Sequence, residues 1–134
     1  MSGSIISKVD GKGRLLIPAS FREVLNIREN SNVLLTINTE KKVITLLPFA
    51  AAGEKLYSVR LNLSDAPGSL AQVLGVLSSF GVDLVQSESI ASDRGRQASW
   101  KGIVDLRYCK KGVGEIKRKL GKEKVASEIL FEKI

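Results

Sequence analysis

The sequence has no histidine and a single cysteine among its 134 residues. Histidine is the most versatile proton carrier and metal ligand near neutral pH. Cys109 and scattered carboxylates make no zinc site. A phosphate-binding Gly-x-x-x-x-Gly-Lys-Ser/Thr loop and a Gly-x-Ser-x-Gly nucleophile elbow are also missing from the sequence. We therefore predict no enzyme activity, no metal and no cofactor.

Long apolar runs are also missing. No segment approaches the roughly 20 apolar residues that span a bilayer. The first six residues lack the basic start and apolar stretch of a secretory signal. One cysteine cannot form an internal disulfide, which is typical of a reducing compartment. These features predict a cytoplasmic protein with no membrane partner.

Positive charge is what the chain has in excess. The net charge is +7 and the sequence pI is near 9.7. Seven Lys/Arg oppose four Asp/Glu before Gly53, and fourteen oppose ten from Gly53 onward. A basic chain favours a polyanion such as nucleic acid, because phosphates attract Lys and Arg and release counterions on binding. Charge that serves solubility alone is the alternative.

The first 49 residues have the pattern ββαββ. Short apolar segments at 5–9 and 14–17 flank a turn signal at 10–13, and Pro18 predicts a helix start. Alternating apolar residues then predict strands at 31–38 and 43–47. The small-residue segment 50–55 is typical of a linker.

Residues 56–134 have the pattern βαββαβ. Period-two alternation predicts strands at 57–63, 84–90, 98–108 and 125–134, and helical spacing predicts helices at 70–80 and 112–120. This order implies a four-stranded antiparallel sheet covered on one face by two helices. The whole chain is thus predicted as an α+β protein of two domains.

The segment Ser7–Arg22 resembles the SpoVT/AbrB swapped-hairpin family. The family motif reads Val-Asp-x-x-Gly-Arg, two hydrophobic residues and Ile-Pro, followed by an Arg and a Leu-x-Ile. The matching residues are Val9-Asp10, Gly13-Arg14, Ile17-Pro18, Arg22 and Leu25-Asn26-Ile27. The resemblance implies that residues 1–49 form a β-barrel-like, intertwined dimer domain that binds double-stranded DNA.

Carried over residue by residue, the same resemblance implies that Arg14 and Arg22 face DNA, with Lys8 and Lys12 beside them. A guanidinium suits this role because its planar fork meets a phosphate or a guanine edge with two hydrogen bonds. Two basic positions of the family motif are Ser7 and Glu23 here. Both departures remove positive charge. Solvated surface charges are the alternative for each arginine.

A second resemblance, over 56–134, is to the ACT domain. It rests on Leu61–Ala71 with its Asp-x-Pro-Gly-x-Leu motif, and on Gly81–Leu84. ACT domains pair side by side and often bind an amino acid between protomers. The resemblance implies a site made of the Asp65 carboxylate, helix-start residues and a loop of the partner; the residues are Asp65, Gly68, Ser69, Leu70, Gly81, Val82 and Asp83. A helix cap at Asp65 and close packing at Gly68 are the alternative.

These features together predict a transcription regulator associated with the nucleoid, with DNA-binding residues 1–49, linker 50–55 and an effector-binding, oligomerising domain 56–134. It would be a homodimer or tetramer with an amino-acid effector. One alternative is an architectural DNA binder whose ACT domain only dimerises. Another is a regulatory subunit of an amino-acid biosynthetic enzyme, and an antitoxin role also stays open. The Lys-rich stretch 110–124 is either a solvated helix face or a second phosphate-contacting patch.

Overall fold

The computed structural model describes residues 3–49, 55–64, 68–93, 97–124 and 126–134. The chain divides into two compact units, Met1–Ala52 and Gly53–Ile134. We call them the N-terminal unit and the C-terminal unit. The predicted linker lies almost entirely outside the described residues.

The N-terminal unit has one helix and one two-stranded sheet. Helix α1 is Ala19–Val24, and strands β1, Asn32–Asn38, and β2, Val43–Phe49, pair antiparallel. Pro18 precedes α1 with φ −55°, which its ring enforces and which suits a helix start. The predicted helix and the two later strands are confirmed.

The two earlier strands predicted at 5–9 and 14–17 are wrong for the single chain, because residues 3–17 contain no strand. The turn between them is present, and its two arms lie side by side. The Asp10 amide donates to the Arg14 carbonyl at 3.0 Å, and the Ser7 hydroxyl lies 3.5 Å from the Leu16 carbonyl. A strand requires a regular row of backbone partners, and one protomer does not supply it to these arms.

The C-terminal unit has the predicted βαββαβ order, with strands joined as β4-β5-β3-β6, all antiparallel. This arrangement is a ferredoxin-like sheet. Its elements are β3 Leu56–Ser64, α2 Ser69–Ser79, β4 Asp83–Asp93, β5 Gln97–Asp105, α3 Val113–Lys122 and β6 Ala126–Lys133. Strand β5 ends at Asp105 and not at the predicted Tyr108. Asp105 ends it because its carboxylate turns back to bind the amide and Nε of Arg107.

Trp100 is the largest fully buried side chain of the C-terminal unit. Its indole Nε1 donates to the Ser87 hydroxyl at 2.8 Å, and its ring covers Gly102, where a Cβ would clash with it. Alternate residues of β3 and β5 face α2 and α3, as the period-two pattern predicts. The buried cluster is Val59, Leu61, Leu63, Val73, Val76, Leu77, Trp100, Val104, Leu106, Ile116 and Leu120.

Candidate nucleic-acid interface and effector site

The turn between the two N-terminal arms is built around the Asp10 side chain. One carboxylate oxygen, Oδ1, accepts from the amides of Lys12 at 2.9 Å and Arg14 at 2.8 Å. The Gly13 amide donates to the Asp10 carbonyl at 3.0 Å, and Gly13 has φ +76°, a conformation that glycine adopts without a steric penalty. The Asp-x-x-Gly-Arg spacing therefore folds into one specific turn.

Arg14 is held in place by the same carboxylate. Its Nε donates to Asp10 Oδ2 at 2.6 Å, while 70% of the Arg14 side chain stays exposed. The Arg14 amide, then its guanidinium, and the Lys12 amide together lower the pKa of Asp10. Asp10 therefore stays ionised near neutral pH and fixes the base of the guanidinium. In the part of the chain that the structure describes, the terminal nitrogens of Arg14 make no hydrogen bond.

Arg22 shows the same arrangement on α1. Its Nε donates to the Ile17 carbonyl at 3.1 Å, and its side chain is exposed. Its terminal nitrogens make no hydrogen bond to any described residue. Lys8 and Lys12 are also exposed, on the first arm and in the turn. Three of the four predicted DNA-binding residues thus lie on one hairpin, and Arg22 lies on the helix that follows its second arm.

Sequence reasoning missed the orienting role of Asp10, although Asp10 is part of the motif. The signal was available, because an Asp followed four residues later by Arg across a glycine is typical of a side-chain-closed turn. The Ile17 carbonyl as a partner of Arg22 has no sequence signal, since any residue carries a carbonyl.

The N-terminal unit leaves most of its apolar side chains in solvent. Leu34 is its only large apolar residue that is buried among those the structure describes. Leu16 is 74% exposed and Ile6 is 97% exposed. The full exposed set is Ile5, Ile6, Val9, Leu15, Leu16, Val24, Leu25, Leu35, Ile37, Val43 and Ile44. So many exposed large apolar side chains in one small unit indicate an interface.

The predicted effector residues at the start of α2 are partly described. Asp65 lies outside the described residues. Gly68 precedes the helix with φ +86° and has no side chain to cap the first amides. Ser69 is buried, and its hydroxyl lies 2.6 Å from the Ser64 hydroxyl, a contact that the sequence did not predict. Leu70 packs against the core.

The other predicted effector residues lie at the opposite end of α2. The Gly81 amide donates to the Ser78 carbonyl and the Val82 amide to the Leu77 carbonyl, which ends the helix in a Schellman motif. Gly81 has φ +76°, and a Cβ there would meet the Tyr108 carbonyl oxygen at 2.9 Å. Asp83 begins β4 and is exposed.

One protomer therefore does not bring the two predicted halves of the effector site together. An 11-residue helix separates them, which at 1.5 Å per residue is about 16 Å. None of the predicted effector residues that the structure describes lines the groove of about 560 Å³ in this unit, which Lys55, Tyr57, Lys111, Val113 and Lys133 border.

Residues 6–49 match the model of a family described as MazE, an antidote-toxin recognition protein and bacterial antitoxin. The N-terminal unit is MazE-like. This match confirms the AbrB-type resemblance that the Val9–Arg22 motif predicted, and it stops before the C-terminal unit. No curated protein matches the chain in sequence.

One solved structure similar to the C-terminal unit is the ACT domain from the GTP pyrophosphokinase of Chlorobium tepidum. The two are 19% identical with a TM-score of 0.46, over 57% of this chain and 96% of that one. At this similarity the ferredoxin-like assignment rests on the β4-β5-β3-β6 strand order.

Two further findings concern the described residues alone. They contain no group of three or more Cys, Asp or Glu side chains placed to hold a metal ion. None of their helices is both long and apolar enough to cross a membrane.

Proposed function

We propose that this chain is a transcription regulator that binds duplex DNA as a dimer through Lys8, Lys12, Arg14 and Arg22. One observation carries the proposal. Arg14 and Arg22 are each anchored through Nε by their own chain, and both residues are exposed, with no hydrogen bond from their terminal nitrogens to a described residue. An anchored guanidinium loses less conformational entropy when it meets a phosphate or a base edge, and its fork still forms charge-assisted hydrogen bonds.

A second copy of the chain completes the N-terminal unit in this proposal. The exposed apolar set and the arms of residues 3–17, which form no strand in one chain, support it. Burying a leucine side chain is worth about 1.5–3 kcal/mol, so a dimer that covers several of these residues has a large driving force. Two copies also double the number of cations presented to the duplex.

An amino acid bound between paired C-terminal units is the proposed effector. The amides at Gly68, Ser69 and Leu70 would receive its carboxylate, because the first amides of a helix lack intrahelical partners. Asp65 would accept its ammonium, and Gly81, Val82 and Asp83 of the second copy would close the site. The separation of the two halves along α2 supports this division between protomers. The effector alters DNA binding only if it favours one arrangement of the oligomer.

The test is fluorescence anisotropy of a labelled mixed-sequence duplex, with and without pooled amino acids. We expect binding that weakens with salt and changes when the pool is added. The double variant Asp65→Ala/Gly68→Glu should bind duplex but lose the response to the pool. The matched control Glu132→Ala/Gly75→Glu makes the same charge changes at exposed positions of the same unit and should keep the response.

The other outcomes identify the alternatives. Binding that ignores the pool, with no preference among sequences, indicates an architectural binder. No duplex binding at low salt contradicts the proposal, and co-purification of an enzyme would then indicate a regulatory subunit. Toxin recognition is the second candidate, because the description of the matching family names it. A stoichiometric complex with a toxin would support that role.

A further inference from the structure

The positive charge of the C-terminal unit is concentrated on α3 and the residues that flank it. Residues 110–124 contain seven Lys/Arg and two Asp/Glu, which leaves seven Lys/Arg and eight Asp/Glu in the rest of residues 53–134. Outside this stretch the unit is therefore slightly acidic. A charge excess spread for solubility would be distributed over the surface, and this one is not.

Most of these cations have no counter-ion among the residues that the structure describes. Lys111 pairs with Glu115 at 3.6 Å and Lys119 with Glu123 at 3.1 Å. The remaining five form no ion pair or hydrogen bond through their side chains within the described part of the chain, and all are exposed; they are Lys110, Lys117, Arg118, Lys122 and Lys124. We call these five the α3 basic face.

The α3 basic face contains a repulsive pair on the helix itself. Arg118 and Lys122 are four residues apart, so they lie one turn above the other and repel. An arrangement chosen for helix stability would alternate signs at this spacing, as Lys119 and Glu123 do. A polyanion bound over this pair would relieve the repulsion.

The surroundings of the α3 basic face argue against a membrane surface and against single-stranded nucleic acid as its partner. Ile116 and Leu120 are fully buried, and Val113 packs against the same core. An amphipathic helix that lies in a membrane interface inserts its apolar side into the lipid, and the apolar side of α3 is already buried in the core. No aromatic residue lies among the cations of 110–124, whereas single-strand binding surfaces stack bases on aromatic rings.

We propose that the α3 basic face is a second DNA-contacting surface, which binds phosphates of the duplex that the N-terminal unit holds. This inference rests on the proposed function. The face does not discriminate between DNA sequences, because contacts to phosphates carry no sequence information. It adds affinity and salt dependence equally to every duplex.

The test compares two triple variants of the full chain by salt-titrated duplex anisotropy. Lys117→Ala/Arg118→Ala/Lys122→Ala removes three cations of the α3 basic face. Lys41→Ala/Lys101→Ala/Lys133→Ala removes three exposed lysines elsewhere and is the matched control. Circular dichroism melting checks that both variants fold, which we expect because none of the six side chains is buried.

We expect the first variant to bind about tenfold more weakly at low salt, for every duplex sequence. Its log–log salt slope should be shallower by about 0.9 for each phosphate that the variant no longer binds, while the control keeps the wild-type slope. A first variant whose slope and affinity equal those of the control contradicts this inference alone. A wild-type chain that binds no duplex contradicts the proposed function and this inference together. The inference is also overturned if the first variant binds duplex as the wild type does and loses binding only to phosphatidylserine vesicles.

Discussion

The two units of this chain differ most in how many of their apolar side chains are buried. Among the described residues, the C-terminal unit buries twelve large apolar residues and exposes four, whereas the N-terminal unit buries one and exposes eleven. The C-terminal unit has a core of its own within one chain. The N-terminal unit has local turns, a helix and a two-stranded sheet, but Leu34 is its one buried large apolar residue among those described. One sequence thus encodes a unit with its own core beside one that, in the proposed function, a second copy of the chain completes.

The largest expected effect concerns the unit with its own core. Trp100→Ala should destabilise the C-terminal unit by about 3–5 kcal/mol, because it leaves a cavity and removes the partner of the Ser87 hydroxyl. Chemical denaturation followed by circular dichroism measures this loss. A change below about 1 kcal/mol would mean that the Trp100 core does not hold this unit together.

The next effect is on association through the N-terminal unit. Leu16→Asp should raise the dimer dissociation constant about a hundredfold, about 2.8 kcal/mol, because a charge would replace an apolar contact at the interface. Sedimentation equilibrium measures it. Thr39→Asp, which adds the same charge in the exposed turn after β1, is the control and should leave the dimer intact. If Leu16→Asp also leaves the dimer intact, Leu16 stays 74% exposed in the dimer. The exposed apolar residues of the N-terminal unit would then not be explained by association.

A smaller effect is expected in α3. Gly114 and Gly121 lie in this helix, and a Cβ at either position would meet nothing within 4 Å. Neither position needs glycine for packing, and glycine destabilises a helix by about 0.5–1 kcal/mol relative to alanine. Gly114→Ala/Gly121→Ala should therefore raise the melting temperature of the C-terminal unit in a thermal scan. A lower melting temperature would show that these glycines serve the fold.

The smallest expected effect is that of pH. The turn at Asp10 is stabilised in the carboxylate form, so this stabilisation is complete above the ordinary Asp pKa of about 3.9. It is lost only as the pH falls through the lowered pKa of Asp10. The chain has no histidine to titrate between about pH 5.5 and about 7.5. Duplex affinity should be constant across that window, and a step in an anisotropy titration there would contradict this account of the turn.

The sequence predicted more of the C-terminal unit than of the N-terminal unit, because the C-terminal unit has a core within the chain. Period-two strands such as β3 and the Gly81 helix end depend on local geometry and on a core within the chain, and both were found. The strands expected at 5–9 and 14–17 were not found in the single chain, where the two arms share too few backbone hydrogen bonds to form a ladder. The anchoring of Arg14 by Asp10 follows from a recognisable turn motif. The Ser64–Ser69 contact needs the three-dimensional packing of β3 against α2.

The most direct test of the account is duplex binding by the two anchored arginines. Salt-titrated anisotropy would compare the wild type with Arg14→Ala/Arg22→Ala and with Arg28→Ala, an exposed arginine of the same unit outside the proposed interface. We expect the double variant to lose about 1–3 kcal/mol of binding for each arginine, and the Arg28→Ala control to stay near the wild type. Equal binding by all three proteins would contradict the assignment of this interface.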